Sequence, residues 1–230
     1  MTAIVIPSLG GPHLPRCLES VAALEPAPDT TVLVISGGAA PPDHRAGVTV
    51  LRHGSRLGFA AAANTGLQSL GASAGRVALL NDDATPTPGW LAPLESTLDD
   101  NPHLAAVQGT VTDPTGSTVD GRGITFDAFG LPTQIDRGAP AATEPDGPRP
   151  VVAVSATAAL YRREALRQVS LPDGSIFDER FGSYHEDLDL GLRLQRLDWR
   201  SQWMADARAF HLGSTTGRRL RWRHPWWLIA

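Results

Sequence analysis

Short, continuous apolar runs alternate with amphipathic stretches over the first hundred residues. A buried strand is predicted for AIVIP, which is short, uninterrupted and closed by Pro7. An amphipathic helix is predicted for LPRCLESVAAL, because its apolar residues recur at spacings of three and four. The alternation continues with the strands TTVLVISGG, VTVLR and RVALLNDD and the helix AAAANTGLQSLGAS. This order predicts an α/β fold in which a mostly parallel sheet is flanked by helices.

The regular alternation weakens in the second half of the chain. From 112 to 150 the composition shifts to Gly, Pro, Asp and Thr, which predicts loops with weak strand signals. The further predicted elements are a helix PGWLAPLESTLDD with Pro88 in its first turn, a strand near GITFDAFG, a loop at RGAPAATEPDGPRP, a strand and helix in VVAVSATAALYRREAL, and a helix HEDLDLGLRLQRLDW with Leu190, Leu194 and Leu197 on one face. We therefore expect this half to be the more adaptable one.

Two adjacent carboxylates, Asp82 and Asp83, close the predicted strand RVALL. Like charges placed side by side at a strand exit cost free energy unless a positive charge lies nearby. Ligands of parallel sheets bind at the carboxyl ends of the strands, so a bound cation is one explanation. The other is an ordinary turn, because Asn and Asp favour turns through local hydrogen bonds.

A second acidic cluster lies in the first turn of the last predicted helix. At this position the negative charges interact favourably with the helix dipole; they belong to Glu186, Asp187 and Asp189. Asp189 can also pair with Arg193, four residues later. Helix stabilisation alone could explain all three acids. A carboxylate at the edge of a cleft is also a candidate general base.

His211 follows the apolar segment ARAF. A lone histidine is more often a structural residue than a ligand. If the fold brings His211 beside Asp83, the imidazole and carboxylate together would suit Mn²⁺ or Mg²⁺.

Composition narrows the classes of protein. Apolar residues make up 42% of the chain and charged residues 19%, as in ordinary globular proteins. The net charge of −4 argues against a nucleic-acid-binding protein. Cys17 is the only cysteine, so no internal disulfide can form. The N-terminus resembles no signal peptide and no apolar stretch is long enough to span a membrane, so we expect a cytoplasmic protein.

The last residues, 218–230, form a basic aromatic tail, RRLRWRHPWWLIA. This composition is typical of a peripheral membrane contact, here on the cytoplasmic face. A closing helix packed on the domain, or a chain end cut from something longer, explains the tail equally well.

Six blocks together resemble the GT-A glycosyltransferases of family 2, nearest their rhamnosyltransferase-like and galactofuranosyltransferase-like branches. In chain order the blocks are VIPSLGG, RLGFAAAANTGL, LLNDDATPTPGWL, YRREAL, FDERFGSYHEDLDLGLRLQRLDWR and HLGST. The resemblance implies a GT-A fold, with one catalytic domain over 1–217 divided into a nucleotide-sugar-binding half (1–108) and an acceptor-binding half (109–217). It also implies sugar transfer from a nucleotide diphosphate with inversion at the anomeric carbon.

Position by position, the resemblance assigns roles to residues of both halves. NDD matches the metal-binding DXD motif, so Asp83 and His211 are implied as metal ligands and Asp187 as the catalytic base. The residues implied to contact the nucleotide sugar are Pro7, Ser36, Arg56, Asn64, Asn81 and Asp82. Those implied to bind the acceptor are Glu186 and Trp199.

This sequence departs from the family pattern at two places. Ser36 stands where the family usually has an aspartate that contacts the nucleobase, which leaves base selectivity open. Ala156 or Thr157 stands where the acceptor segment usually has a glycine.

The resemblance implies a divalent cation, Mn²⁺ or Mg²⁺, and a UDP- or dTDP-sugar donor. The implied acceptor is a carbohydrate or a lipid-linked sugar in the synthesis of cell-envelope polysaccharide or glycolipid. Two alternatives remain open. One is a non-catalytic subunit that keeps the fold as a binding module, and the other is a nucleotidyltransferase. The second normally has a basic glycine-rich loop near the N-terminus, but PSLGGPHL contains no Lys or Arg.

Overall fold

The computed structural model describes residues 1–38 and 47–213. The predicted C-terminal tail, 218–230, lies outside the described residues. Across the described ranges, no helix combines the length and the apolar character that crossing a bilayer requires.

The first half of the chain contains most of the alternation between strands and helices. The strands are β1 (Thr2–Ser8), β2 (Thr30–Ser36), β3 (Val48–His53), β4 (Arg76–Leu80), β5 (Ala84–Pro86), β6 (Leu104–Thr112), β7 (Val119–Gly121), β8 (Ile124–Phe126), β9 (Pro132–Gln134), β10 (Arg149–Val151), β11 (Ala158–Arg162) and β12 (Arg200–His211). The helices are α1 (Leu14–Ala22), α2 (Phe59–Ser69), α3 (Leu91–Asp100), α4 (Arg163–Gln168) and α5 (Glu186–Gln195), with a 3-10 turn at Glu179–Phe181.

One sheet runs through both halves of the chain. Its strand order is β10-β12-β6-β11-β4-β1-β2-β3, with β5 paired to β12 and β7 paired to β6. The strands β3, β2, β1 and β4 are mutually parallel, whereas β11 is antiparallel to both β4 and β6. The prediction of a mostly parallel α/β sheet with helices on its faces is confirmed. β6 runs across the predicted boundary between residues 108 and 109.

Each face of the sheet is covered by its own set of helices. Alternate residues of β1 point to opposite faces, so Val5 packs on one side and Ile6 on the other. Apolar residues of α2, α4 and α5 cover the first face, and those of α1 and α3 cover the second. Because β1 is buried along its whole length, it needs the continuous apolar run by which it is predicted.

Three details of the predicted elements are wrong. The helix predicted from PGWLAPLESTLDD begins at Leu91, so Pro88 lies in the preceding turn. Leu197 lies beyond the end of α5 and is 51% exposed, whereas Leu190 and Leu194 are buried. The long strand β12 was not predicted.

Candidate active site

The carboxyl ends of β1, β2 and β4 lie along one edge of the sheet, because these strands are parallel. The chain turns after β4 at Asn81 and then forms β5, which pairs with the end of β12 so that His211 lies opposite Ala84. The backbone N–H of Leu212 also donates to the carbonyl of Asp83. This pairing is the local reason that His211 comes beside Asp83, 128 positions earlier in the chain.

His211 lies between two carboxylates. Its Nε2 is 3.1 Å from Oδ1 of Asp83, and its Nδ1 is 2.7 Å from Oδ2 of Asp120. Burial disfavours the charged imidazole, but hydrogen bonds to Asp120 and Asp83 outweigh this and raise the pKa of His211 to about 9. The two carboxylates therefore stabilise a positive charge between them.

Asp82 points away from its neighbour and toward β1. The hydroxyl of Ser8 donates to Asp82 Oδ2 at 2.5 Å. Burial raises the pKa of Asp82; the hydrogen bond from Ser8 opposes this rise, and the charge of Asp83 adds to it. Because the two side chains have separate partners, Asp83 is the one that faces His211.

The second acidic cluster lies on the same edge of the sheet. The backbone N–H of Asn81 donates to the carbonyl of Thr157 at 2.9 Å, and the N–H of Ala156 donates to Asp187 Oδ2 at 3.3 Å. Two adjacent residues at the entry to β11 therefore connect the turn after β4 with the first turn of α5. Asp187 also accepts from the N–H of Leu188 at 2.9 Å.

Glu186 and Asp187 differ in surroundings. Glu186 is only 6% exposed, and its Oε2 has no hydrogen-bond partner within the described part of the chain. Burial, followed by the charge of Asp187, raises the pKa of Glu186 to about 8. Burial also raises the pKa of Asp187, although backbone N–H groups oppose it. Beneath the pair, burial and then the charges of Asp187 and Glu186 raise the pKa of Tyr161. The negative charge is thus better stabilised on Asp187, whereas Glu186 binds its proton more tightly.

The segment that leads into α5 has an unusual backbone. Tyr184 and His185 are both left-handed, with φ of 79° and 69°. Such conformations cost free energy outside glycine and concentrate at functional sites. Burial raises the pKa of Tyr184, and the charges of Glu186 and Asp83 raise it further. The phenol of Tyr184 therefore lies within electrostatic range of both acidic clusters. The sequence analysis missed it, because no residue pattern signals this conformation.

A surface cleft beside Asp83 and His211 is also lined by His13 and Arg16. Both lie at the start of α1, and Arg16 is exposed. The sequence analysis did not select them either, although a basic residue just after a parallel strand is the signal that could have found them.

Five of the six residues implied to contact the nucleotide sugar lie in two groups. Pro7, Asn81 and Asp82 lie at the ends of β1 and β4, while Ser36 and Arg56 lie together at the end of β2. The Ser36 hydroxyl is buried and accepts from the N–H of Leu57 at 3.2 Å.

Asn64 lies within α2 and bonds to the segment that precedes α5. Its carbonyl accepts from the N–H groups of Ile176 and Phe177, and its amide donates to the Phe177 carbonyl and to Glu179. The side chain is 2% exposed and holds the segment that precedes α5. Its donors and acceptors are therefore used within the protein.

Trp199 is likewise separated from the acidic clusters. It follows the C-terminal end of α5, where its indole N–H donates to Gln168 at 2.9 Å. A ten-residue helix is about 15 Å long, so Trp199 lies roughly that far from Asp187. The acceptor contact implied at Trp199 stays a prediction, and the structure places this residue at the end of α5 that lies away from Asp187.

The donor set at Asp83 and His211 suits a divalent cation that shares its ligands with a substrate. One carboxylate oxygen and one imidazole nitrogen are acceptable to Mn²⁺ and Mg²⁺, which leave further positions to phosphate oxygens and water. Over residues 1–38 and 47–213, no three His, Cys, Asp or Glu side chains are arranged to hold an ion by themselves. Asp120 lies on the opposite side of the imidazole ring from Asp83.

A comparison with known sequences matches most of the chain to one family. The model described as "Glycosyl transferase family 2" matches residues 3–170, which include Asp82 and Asp83 but end before Asp187 and His211. Two curated Mycobacterium tuberculosis proteins, from strains CDC 1551 / Oshkosh and ATCC 25618 / H37Rv, are 29% identical over 240 residues, covering 90% of this chain and 75% of theirs. Both are named N-acetylglucosaminyl-diphospho-decaprenol L-rhamnosyltransferase.

Solved structures share the fold. The crystal structure of GalNAc-T7 with UDP, GalNAc and Mn²⁺ superposes with a TM-score of 0.68 at 15% identity, over 92% of this chain and 43% of that one. The crystal structure of S. aureus TarS gives a TM-score of 0.63 at 15% identity, over 91% and 36%. The chain spans less than half of either protein, and the likeness confirms the predicted GT-A fold.

Proposed function

Because the chain belongs to glycosyl transferase family 2, we propose that it is an inverting, divalent-metal-dependent transferase of a sugar from a nucleotide diphosphate to a hydroxyl acceptor. Similarity to the rhamnosyltransferases of M. tuberculosis favours rhamnose from a dTDP- or UDP-linked donor and a lipid-linked acceptor in cell-envelope synthesis. The experiments below test the donor, the metal and the base separately.

The observation that carries the proposal is the meeting of Asp83 with His211 at 3.1 Å, on the sheet edge that also bears Asp187. A carboxylate with only a structural role does not require contact with a histidine 128 positions later in the chain. A general base acts only where a substrate binds. In our proposal, Asp83 and His211 face the phosphates of the donor, and Asp187, on the same edge, accepts the proton of the acceptor. Both roles are needed for transfer between two substrates.

Asp83 and His211 are the residues that would hold the cation. A divalent cation in this place supplies charge neutralisation for the diphosphate leaving group. Arg16 lines the same cleft together with His13, and its guanidinium places further positive charge near the diphosphate. Asp82, held toward Ser8, is in our proposal a contact to the ribose or diphosphate rather than a metal ligand.

Asp187 takes the proton from the acceptor hydroxyl as that oxygen attacks the anomeric carbon. Its position in the first turn of α5 and its two backbone N–H donors hold the carboxylate in one orientation. Burial raises its pKa, which increases its strength as a base. One base acting on one face of the sugar gives inversion, and the transition state has oxocarbenium character.

The test is donor binding by calorimetry. UDP-, dTDP- and GDP-sugars are titrated into the wild-type protein with and without Mn²⁺, and then into Asp83→Ala. We expect one nucleotide class to bind in a Mn²⁺-dependent manner, and we expect Asp83→Ala to lose that dependence without a loss of fold. Asp146→Ala, which removes an exposed acid from the same protein, is the matched control.

Several results would count against the proposal. Equal donor affinity with and without Mn²⁺ would refute the metal site, and no binding of any nucleotide sugar would favour a non-catalytic module. Product analysis separates the remaining alternative, since a glycosyltransferase releases a nucleoside diphosphate and a nucleotidyltransferase releases pyrophosphate.

A further inference from the structure

Asp120 lies in the segment that the sequence analysis treats as adaptable loop, yet it contacts the site directly. It belongs to β7, and its Oδ2 is 2.7 Å from Nδ1 of His211. Its other oxygen, Oδ1, lies 3.7 Å from the guanidinium of Arg137. The two oxygens of one carboxylate thus have two separate partners.

We propose that Asp120 is a positioning residue that fixes the tautomer and the ring orientation of His211, so that Nε2 is the nitrogen presented to Asp83 and to a divalent cation. The inference rests on the metal site of the proposed function and adds a residue to it. A carboxylate that accepts from one ring N–H of a metal-binding histidine leaves a lone pair on the other nitrogen. Asp120 faces the ring from the side opposite Asp83, so it serves His211 and not the ion.

The strand that carries Asp120 is firmly anchored. Arg122, two residues later, is 2% exposed and its guanidinium donates to Asp136 at 2.9 Å. The same guanidinium lies over the ring of Trp203, 5.5 Å from its centroid. Trp203 and His211 belong to the same strand, β12, so this contact fixes β7 relative to the strand that carries the histidine.

The backbone also directs Asp120 toward the site. β7 pairs with the end of β6, and the register shifts between Val111 and Thr112. β6 in turn pairs with β12 up to Phe210, the neighbour of His211. An irregularity of this kind re-aims side chains at the edge of a sheet. The segment after β6 therefore contributes a structural support to a site whose other residues come from β4 and β12.

The test uses Asp120→Asn, which keeps the size of the side chain. Its amide can present either oxygen or NH₂ to Nδ1, so the tautomer of His211 is no longer fixed. Asp146→Asn makes the same change at an exposed acid and is the control. Asp120→Ala removes the acceptor altogether and serves as a second variant.

Two measurements are made on the full chain. Long-range ¹H–¹⁵N spectra, with His211→Gln for assignment, are recorded with saturating Mg²⁺, a diamagnetic cation that displaces one of the two ring protons, and they report which ring nitrogen of His211 keeps its proton. Electron paramagnetic resonance of Mn²⁺ reports the affinity for the metal alone. With Mg²⁺ bound, we expect His211 to keep its proton on Nδ1 in the wild type, and we expect a mixture of the two forms in Asp120→Asn. We expect Mn²⁺ affinity to fall by about 10- to 100-fold in Asp120→Asn and to stay within about twofold in Asp146→Asn. Thermal unfolding of each variant establishes that the fold is retained.

The outcomes separate this inference from the proposed function. Wild-type binding of Mn²⁺ with an unchanged affinity and an unchanged tautomer in both Asp120 variants would overturn the positioning role alone. No Mn²⁺ binding by the wild type, either alone or with saturating UDP or dTDP, would overturn the metal site itself and, with it, the role of Asp120 toward a metal.

Discussion

Replacing Glu186 by Gln should make the free energy of unfolding less sensitive to alkaline pH. Glu186 is 6% exposed, and burial together with the charge of Asp187 raises its pKa from the ordinary 4.5 to about 8. Between these two values the folded state holds a proton that the unfolded state releases. The unfolded state binds fewer protons there, so the free energy of unfolding falls as the pH rises through this window.

The size of the effect follows from the width of that window. At about 1.4 kcal/mol for each pH unit, it corresponds to roughly 3–5 kcal/mol lost between pH 4.5 and pH 9. Glutamine is neutral at every pH, and its amide replaces a carboxyl group of nearly the same shape. Glu186→Gln should therefore resemble the wild type near pH 5 and exceed its stability at pH 8.

Urea unfolding at pH 5, 6, 7 and 8 measures this difference. Glu164→Gln is the matched control, because Glu164 is an exposed acid in the first turn of another helix, α4. Its stability should follow the wild type across the series. Parallel pH curves for the wild type and Glu186→Gln would show that Glu186 is not the buried proton holder and would refute the reasoning.

Three other changes test other parts of the structure. Asp187→Asn should lower turnover by roughly 100-fold or more while donor affinity stays nearly constant, because it removes proton acceptance and keeps size; near wild-type turnover with saturating Mn²⁺ would show that the base is another group. Gly66→Ala should reduce the free energy of unfolding by about 1–3 kcal/mol, since its Cβ would lie 2.3 Å from a Val5 methyl carbon; denaturant unfolding measures this, and an unchanged midpoint would contradict such close packing of α2 on β1. Trp199→Phe should leave the KM for acceptor unchanged and lower the free energy of unfolding by about 0.5–1.5 kcal/mol through the lost hydrogen bond to Gln168; steady-state kinetics and denaturant unfolding measure the two effects, and a raised KM would support the acceptor contact implied at Trp199.

The parallel half of the sheet could be predicted because its strands carry their own signal. β1 and β4 are buried on both faces, so their sequences are continuous apolar runs that periodicity identifies. β12 carries no such signal. Its register shifts between Trp203 and Arg208, which breaks the alternation that would mark a half-buried strand. The strands on either side of such a strand specify its structure more than its own residues do.

The candidate site divides in the same way. Asp83 and Asp187 lie in local motifs: a strand end and a helix start mark the two acidic clusters, and the resemblance to the family selects these two members. Asp120 and Tyr184 lie in no motif. Asp120 acts through a histidine 91 positions away, and Tyr184 matters because of a left-handed backbone. Such relations depend on tertiary contacts, which no single stretch of sequence contains.

In both pairs of adjacent carboxylates, the two acids have different surroundings. Burial raises the pKa of Asp82 and that of Glu186, and in each case the charge of the neighbouring acid raises the pKa further; burial also raises the pKa of Asp187, but there backbone N–H groups oppose the rise. The other member of each pair has partners that stabilise a negative charge: His211 for Asp83, and backbone N–H groups for Asp187. Two neighbouring acids thus avoid repulsion by facing different surroundings. In the function that we propose, the charge of Asp83 is then available to a cation, and the carboxylate of Asp187 is available to a proton from the acceptor hydroxyl.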